Sequence, residues 1–285
     1  MFSLRKTLIL LYIFSSFDLY AQATGSMLRD ELPLWEAGLG VVGGSIPDYP
    51  AAGHSTFHTV PIPTFVYRGK RVRADEDGGL RARFYKTDSW EFDLSLGGSL
   101  PANSDENAER KGMPDLDTMV EIGPTFIWKI IKPTKASPHK LILSVPLRVA
   151  ISTDLKHWNT RGLTFNPVLV YMRERVFLPT MTFIASIDTR FASDTMMDYF
   201  YSVSSNFVTS ARPAFEAKPG YMGTSVALGM SYLLKNKYSF FTGVYHSNHY
   251  GASNEDSPLF VRRNNTALAA GVVWWFLESD RKGVQ

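Results

Sequence analysis

From residue 34 onward the apolar positions of this chain recur every second residue, in one stretch after another. In WEFDLSLGGS (90–99), Trp90, Phe92, Leu94 and Leu96 point one way and Glu91, Asp93, Ser95 and Gly97 the other. In KLILSVPLRVAIS (140–152), Leu141, Leu143, Val145, Leu147, Val149 and Ile151 share a face opposed by Lys140, Ser144, Arg148 and Ser152. YMGTSVALGMSYLL (221–234) sets Val226, Leu228 and Met230 against Ser225, Ala227 and Gly229. A period of two predicts β-strands with unlike faces, and no 3.6-residue period is sustained after residue 33. These stretches are about twice the five to six residues usual in soluble proteins and match the roughly 9–11 tilted residues that cross a bilayer.

Two architectures share this alternation. A soluble sandwich buries its apolar faces and wets its charges, whereas a membrane barrel turns the apolar faces to lipid and keeps a polar lumen. Strand length, and a second face of small residues with isolated charges, favour the barrel. Twelve strands are predicted, at 34–43, 59–67, 70–75, 79–85, 89–99, 117–131, 139–152, 162–173, 178–191, 220–234, 238–250 and 264–277. The fold class is therefore all-β, an antiparallel transmembrane β-barrel of about 12 strands with long extracellular loops and short periplasmic turns. The gaps alternate accordingly. The long ones (44–58, 100–116, 192–219, 251–263) fall on one side, and the short ones (68–69, 86–88, 132–138, 174–177, 235–237) on the other. This parity requires a hairpin at 75–79, where DEDGG supplies an Asp-Gly turn signal. The 192–219 gap is too long for a structureless loop. It is expected to be a packed extracellular cap, with a concealed strand pair as the alternative.

Composition narrows the setting. Arg5 and Lys6, the apolar run 7–17 and AQA at 21–23 read as a signal peptide over 1–23, leaving a barrel over 24–277 and a periplasmic tail over 278–285. The apolar run is well short of the roughly 20 residues of a spanning helix. There is no cysteine, so disulfides, thiolate metal sites and an N-terminal lipid anchor on cysteine are excluded. With 30 Lys and Arg against 27 Asp and Glu, nothing points to nucleic acid. Trp35, Tyr67, Tyr85, Trp90, Trp128, Tyr171, Tyr232, Tyr238, Tyr250, Trp274 and Trp275 cluster at strand ends, as aromatic girdles do. The last strand closes on Phe276, resembling the terminal aromatic signal of outer-membrane proteins, with 277–285 following it.

Candidate chemistry is sparse. GLGVVG (38–43) has the letters of a dinucleotide loop, but GSIPDYP follows where a helix is required; on a strand, Gly38 and Gly40 simply join Glu36 on the lumen face. His54 and His58 have i,i+4 spacing in a Gly/Pro/Ser-rich segment without a carboxylate between them, so no metal is expected. In GVYHSNHYGASNEDSPLFV (243–261), His246 and Ser247 are adjacent and leave opposite faces of a strand, whereas a lipid hydrolase on a barrel needs its His and Ser on one face. No catalytic set and no cofactor are expected. By strand parity the lumen receives Glu36, Arg81, Arg83, Glu91, Asp93, Arg148, Asp188 and Arg190, which either pair into a plug or line a weakly selective path.

Several segments resemble one family. WEAGLGVVGGSIPDYPAAGHST with VPIPTFVYRGKRVRA, then DYFYSVS with ARPAFEAKPGY, then DSPLFV, resemble in order the signatures of the MipA/OmpV family of MltA-interacting proteins of Gram-negative outer membranes. The resemblance spans roughly 34–277. It implies an outer-membrane barrel without known enzymatic activity. The implied partners are outer-membrane lipid and, in a scaffolding role, a lytic transglycosylase and a penicillin-binding protein. Members described as osmoporins or adhesins keep a narrow passive pore open as an alternative, and HSNH keeps a lipid hydrolase as a remote one. Scaffold contacts are expected on the turns 67–70 and 132–139, where Arg68, Lys70, Lys132, Lys135 and Lys140 form a basic rim, or on the tail.

Overall fold

A computed structural model describes residues 32–75 and 79–283. The signal peptide expected over 1–23 lies outside the described residues, as do the tip of the 75–79 hairpin and residues 284–285. The strand segments are β1 (Trp35–Pro47), β2 (Ser55–Arg68), β3 (Val72–Asp75), β4 (Gly79–Lys86), β5 (Trp90–Ser99), β6 (Thr118–Ile131), β7 (His139–Thr153), β8 (Trp158–Phe165), β9 (Val168–Glu174), β10 (Met181–Ala192), β11 (Gly220–Leu234), β12 (Tyr238–Asn248) and β13 (Asn264–Glu278). One short helix, α1 (Asp194–Tyr201), lies between β10 and β11.

Each segment pairs antiparallel with its neighbours in sequence, and β13 returns to β1, for example Val41↔Val272. β8 and β9 are halves of one strand. β7 pairs with β8 through Leu147–Thr153 and with β9 through His139–Ser144, and β10 also pairs with both. The break falls at Asn166–Pro167, where proline has no N–H for the ladder. The result is a closed antiparallel barrel of 12 strands, in which Ser55–Val66 of β2 pair on the β1 side alone among the described residues. The expected hairpin is present, with Asp75 opposite Gly79.

The two faces separate as the alternation predicts. Leu39, Val226, Leu268 and Phe276 are 51%, 44%, 59% and 47% exposed on the outer wall. On the inner wall, Val42, Val60, Ile62 and Val66 of β1 and β2 join Val170, Met172 and Ile184 of β9 and β10, and Phe241, Val273 and Trp275 of β12 and β13, in one buried apolar cluster. Those strands are consecutive neighbours from β9 through β13 and β1 to β2, so this cluster lines about half of the inner wall. Trp275, expected in the outer girdle, is inside it, and its indole N–H donates to Ser239 Oγ at 2.8 Å. As adjacent residues of a strand, Trp274 and Trp275 point to opposite faces, and the β-bulge against Ala37 and Gly38 falls beyond them, at Phe276.

The 192–219 segment is a cap carrying a helix. Met196, Met197, Phe200 and Tyr201 form the buried stripe of α1 and pack on Tyr49, Ala52, Leu116, Met119 and Met222. The remaining pairings in the segment are the isolated bridges Val203↔Phe215 and Thr209↔Arg212. Hydrogen bonds tie the mouth loops together: Tyr49 Oη donates to the Leu259 carbonyl (2.7 Å), Tyr201 Oη to Pro50 O (2.9 Å), Ser257 Oγ to Tyr201 O (2.7 Å) and Arg110 Nη1 to Phe200 O (3.3 Å).

At the other end the C-terminal segment is pinned rather than loose. Leu34 N–H donates to Arg281 O (2.7 Å), Gly283 N–H to Leu32 O (2.9 Å), and Pro33 bridges Lys282.

Candidate functional site

The lumen and its capped mouth bring together most of the buried charge. Alternation directs every second side chain of β3–β7 inward, and adjacent strands then set acids beside bases. Arg81 Nη1 lies 2.6 Å from Asp75 Oδ1 and its Nε 2.9 Å from Asp93 Oδ2; Arg83 Nη2 and Lys129 Nζ each lie 2.7 Å from a Glu91 oxygen. Arg73 pairs with Asp75 as well. A second group centres on Glu121, which accepts from Arg190 and, at 3.1 Å, from Thr164 Oγ1, with Arg148 Nη1 at 4.0 Å. Arg148 also donates to Ser95 Oγ at 2.9 Å. Asp188 accepts from Asn166 Nδ2 at 3.3 Å. Glu36 stands apart near the periplasmic end, 2.7 Å from Arg68 Nη1.

Of the eight lumen charges read from the sequence, Arg81, Arg83, Glu91 and Asp93 share one network, Arg148 and Arg190 another, while Glu36 and Asp188 join neither. Their counter-ions include groups the strand reading did not single out: Arg68, Arg73, Asp75, Glu121 and Lys129. The inward parity of Asp75, Glu121 and Lys129 was available in the alternation, but their partners depend on which strands lie side by side. Arg68 and Lys140, expected in a basic periplasmic rim, are 2% and 5% exposed. Arg68 is the last residue of β2 and Lys140 the second of β7, and both fall on the inward parity, so their side chains turn into the barrel. Lys70, Lys132 and Lys135 are exposed as expected, and Arg71, Arg175, Lys235 and Lys237 are exposed beside them on the short-turn end.

The motifs that suggested chemistry resolve simply. His246 faces outward with Nδ1 2.9 Å from Thr266 Oγ1, Ser247 faces inward, and His249 Nδ1 donates to Met222 O at 2.7 Å. His246 and Ser247 therefore form no dyad. Gly38 and Gly40 lie on the inner face of β1, against Val273 of β13. His54 pairs with Asp48 (3.0 Å), His58 faces the lumen, and among the described residues no three potential ligands converge on a metal position. Between the cap and the apolar cluster a cavity of about 250 Å³ remains, lined by residues of β1, β2, β5, β10, β11 and β12 and by Met196, Tyr199 and Phe200 of α1. In the cap, burial raises the pKa of Tyr49 and Tyr201 well above the ordinary phenol range, so both remain neutral donors.

A family model described as "MltA-interacting protein MipA" matches residues 39–276. No curated protein matches the chain. Among solved structures the chain is similar to a bacterial polysaccharide outer membrane secretin (8% identity, TM-score 0.41, 85% of this chain and 99% of that one). It is also similar to the COG4313 outer membrane channel from Pseudomonas putida F1 (12% identity, TM-score 0.37, 86% and 97%) and to outer membrane phospholipase A from Escherichia coli (13%, 0.30, 88% and 98%).

Proposed function

The chain belongs to the family of the MltA-interacting protein MipA, and from that premise we propose that this outer-membrane barrel is a non-enzymatic scaffold whose periplasmic end holds a murein hydrolase of the lytic transglycosylase type, together with a penicillin-binding protein. The observation that carries this reading is the closed bore. A buried apolar cluster along one half of the inner wall, paired buried charges facing it from β3–β7, and a hydrogen-bonded cap leave little for a passive channel to use, so the working surface is the exterior. At the periplasmic end that surface is mainly basic: Lys70, Arg71, Lys132, Lys135, Arg175, Lys235 and Lys237 stand exposed on its short turns, against Asp88 on the β4–β5 turn and Glu278 and Asp280 on the C-terminal segment. Exposed cations on a rigid ring suit an acidic face of a partner and speed its encounter more than they tighten the complex.

Pull-down from detergent-solubilised envelopes tests the proposal. Recovery of a lytic transglycosylase is expected, and reversing Lys132, Lys135, Lys235 and Lys237 to Glu should cut recovery about ten-fold at low salt. Recovery of no murein enzyme, or equal recovery by the reversed variant, would overturn it. The non-enzymatic part has its own check. Ser247→Ala is expected to leave any lipid-hydrolysing background in purified preparations unchanged, because His246 and Ser247 face opposite sides of β12.

A further inference from the structure

We infer that the barrel wall contains a lateral window through which an apolar chain from the surrounding bilayer reaches the capped cavity. β3 has four residues and meets β2 only at Tyr67↔Ala74 and Arg68↔Arg73. β4 meets β5 from Arg81↔Ser95 downward. Above that sill, Ser55–Val66 of β2 pair with β1 on one side, and Leu96–Ser99 of β5 pair with β6 on one side. Among the described residues no ladder joins β2 to β5. Three strand spacings of about 4.8 Å set the two edges roughly 14 Å apart at the sill. The top is closed by the mouth loops, where Asn107 Nδ2 donates to Asp48 Oδ2 at 3.0 Å and the Arg110 guanidinium stacks 5.7 Å from the Tyr49 ring centre.

The β2 edge is chemically fitted to an opening. Arg68 N–H donates to Leu34 O, on the β1 side. Backbone direction alternates along a strand, so residues 65, 63 and 61 direct their N–H positions to the open side, and 63 and 61 are prolines. Two donors that would otherwise stand unpaired in hydrocarbon are thereby removed. The same substitution leaves the edge unable to template an added strand. That argues against a peptide occupant and for one that needs no backbone ladder. Phe57, Phe65 and Phe84 are 69%, 48% and 66% exposed on the outer face around the frame, so acyl chains are what the window fronts. Behind its upper half lies the cavity, with His58 and Ser99 at the two jambs, Ile46, Leu100 and Tyr245 against the apolar cluster, and Phe200 above. The occupant that fits is a single flexible acyl chain.

Photo-crosslinking in phosphatidylcholine vesicles tests this, with a diazirine at the chain terminus of either a phospholipid or a free fatty acid and adducts mapped by mass spectrometry. Adducts on inward-facing Ile46, Leu100 or Tyr245, in addition to outward Leu39 and Phe57, are expected. Inward adducts in both arms identify a chain that enters while its headgroup stays outside, and inward adducts with the fatty acid alone identify a free single-chain molecule. Adducts confined to the outer face in both arms overturn the window. Lengthening both arms of the β3–β4 hairpin by four residues raises the sill and should lower inward adducts at least ten-fold with outward adducts unchanged; undiminished inward adducts would show entry by the mouth and overturn it. Should that variant not refold, Leu100→Trp, which fills the upper opening, is read the same way.

Discussion

Glu91 shows how much a single inward residue carries. It is 1% exposed and faces Arg83 and Lys129 at 2.7 Å and Arg81 at 3.9 Å. Removing one partner from a buried pair is costlier than the pair was worth, because the remaining charge stays desolvated. Glu91→Gln should therefore lower stability by about 3–5 kcal/mol, read as a lower urea midpoint for loss of the compact barrel on unheated gels. Replacing a lipid-facing residue such as Val226 by Leu should move that midpoint little. The sign and face of Glu91, Arg81, Arg83 and Asp93 were legible in 90–99 and 79–85, since the two-residue period couples side-chain direction to position. The identity of their partners was not. Asp75 reaches Arg81 because a four-residue strand folds back beside β4, and Lys129 reaches Glu91 across the β5–β6 seam.

Among the elements, α1 and the loops beside it are held by tertiary contacts more than by helix propensity, for an eight-residue helix is marginal alone. His249 sits under this cap, packed edge-on to Phe260 at 6.1 Å between ring centres. Burial lowers its pKa and the nearby His246 adds to that, while hydrogen bonds with Met222 O and Asn265 oppose it. The folded-state pKa thus lies below the unfolded value near 6.5, so folded His249 is neutral. The contribution to stability is fully present above about pH 6.5 and declines as pH falls from there toward the folded pKa. Protection factors of the α1 amides, with the intrinsic pH dependence of exchange divided out, are therefore expected to fall between pH 7 and pH 5, and His249→Gln should flatten that dependence. The helix itself was not legible: 194–201 carries a stripe of apolar residues too short for its period to stand out, and only docking on Tyr49 and Met222 orders it. The β11–β12 turn rests on local chemistry: in the three residues between paired Leu234 and Tyr238, Lys235 and Asn236 are both at positive φ, 51° and 55°, and Lys237 N–H donates to Leu234 O at 3.0 Å.

For the whole molecule, closure of the sheet and filling of its bore decide the behaviour. Planar bilayers holding the purified barrel should show no discrete conductance steps. Excising 194–218 should not create them, because the buried apolar cluster around Val42, Ile184 and Trp275, and the paired charges of β3–β7 on the opposite wall, lie below the cap and do not depend on it. Regular open-channel steps from either protein would contradict the scaffold reading. The alternating residues and the spacing of turn signals determined by themselves that the chain forms a twelve-stranded barrel with an oily outside and charges turned inward on β3–β7, since a strand's face and length are local properties. Only the tertiary structure decided which inward charges neutralise one another, that Arg68, Lys140 and Trp275 turn inward, that an apolar cluster lines half of the bore, that hydrogen bonds tie the mouth loops to the cap, and that the wall is low between β2 and β5. Those features depend on which strands become lateral neighbours at a given height, and register across a closed sheet is set by all its strands together.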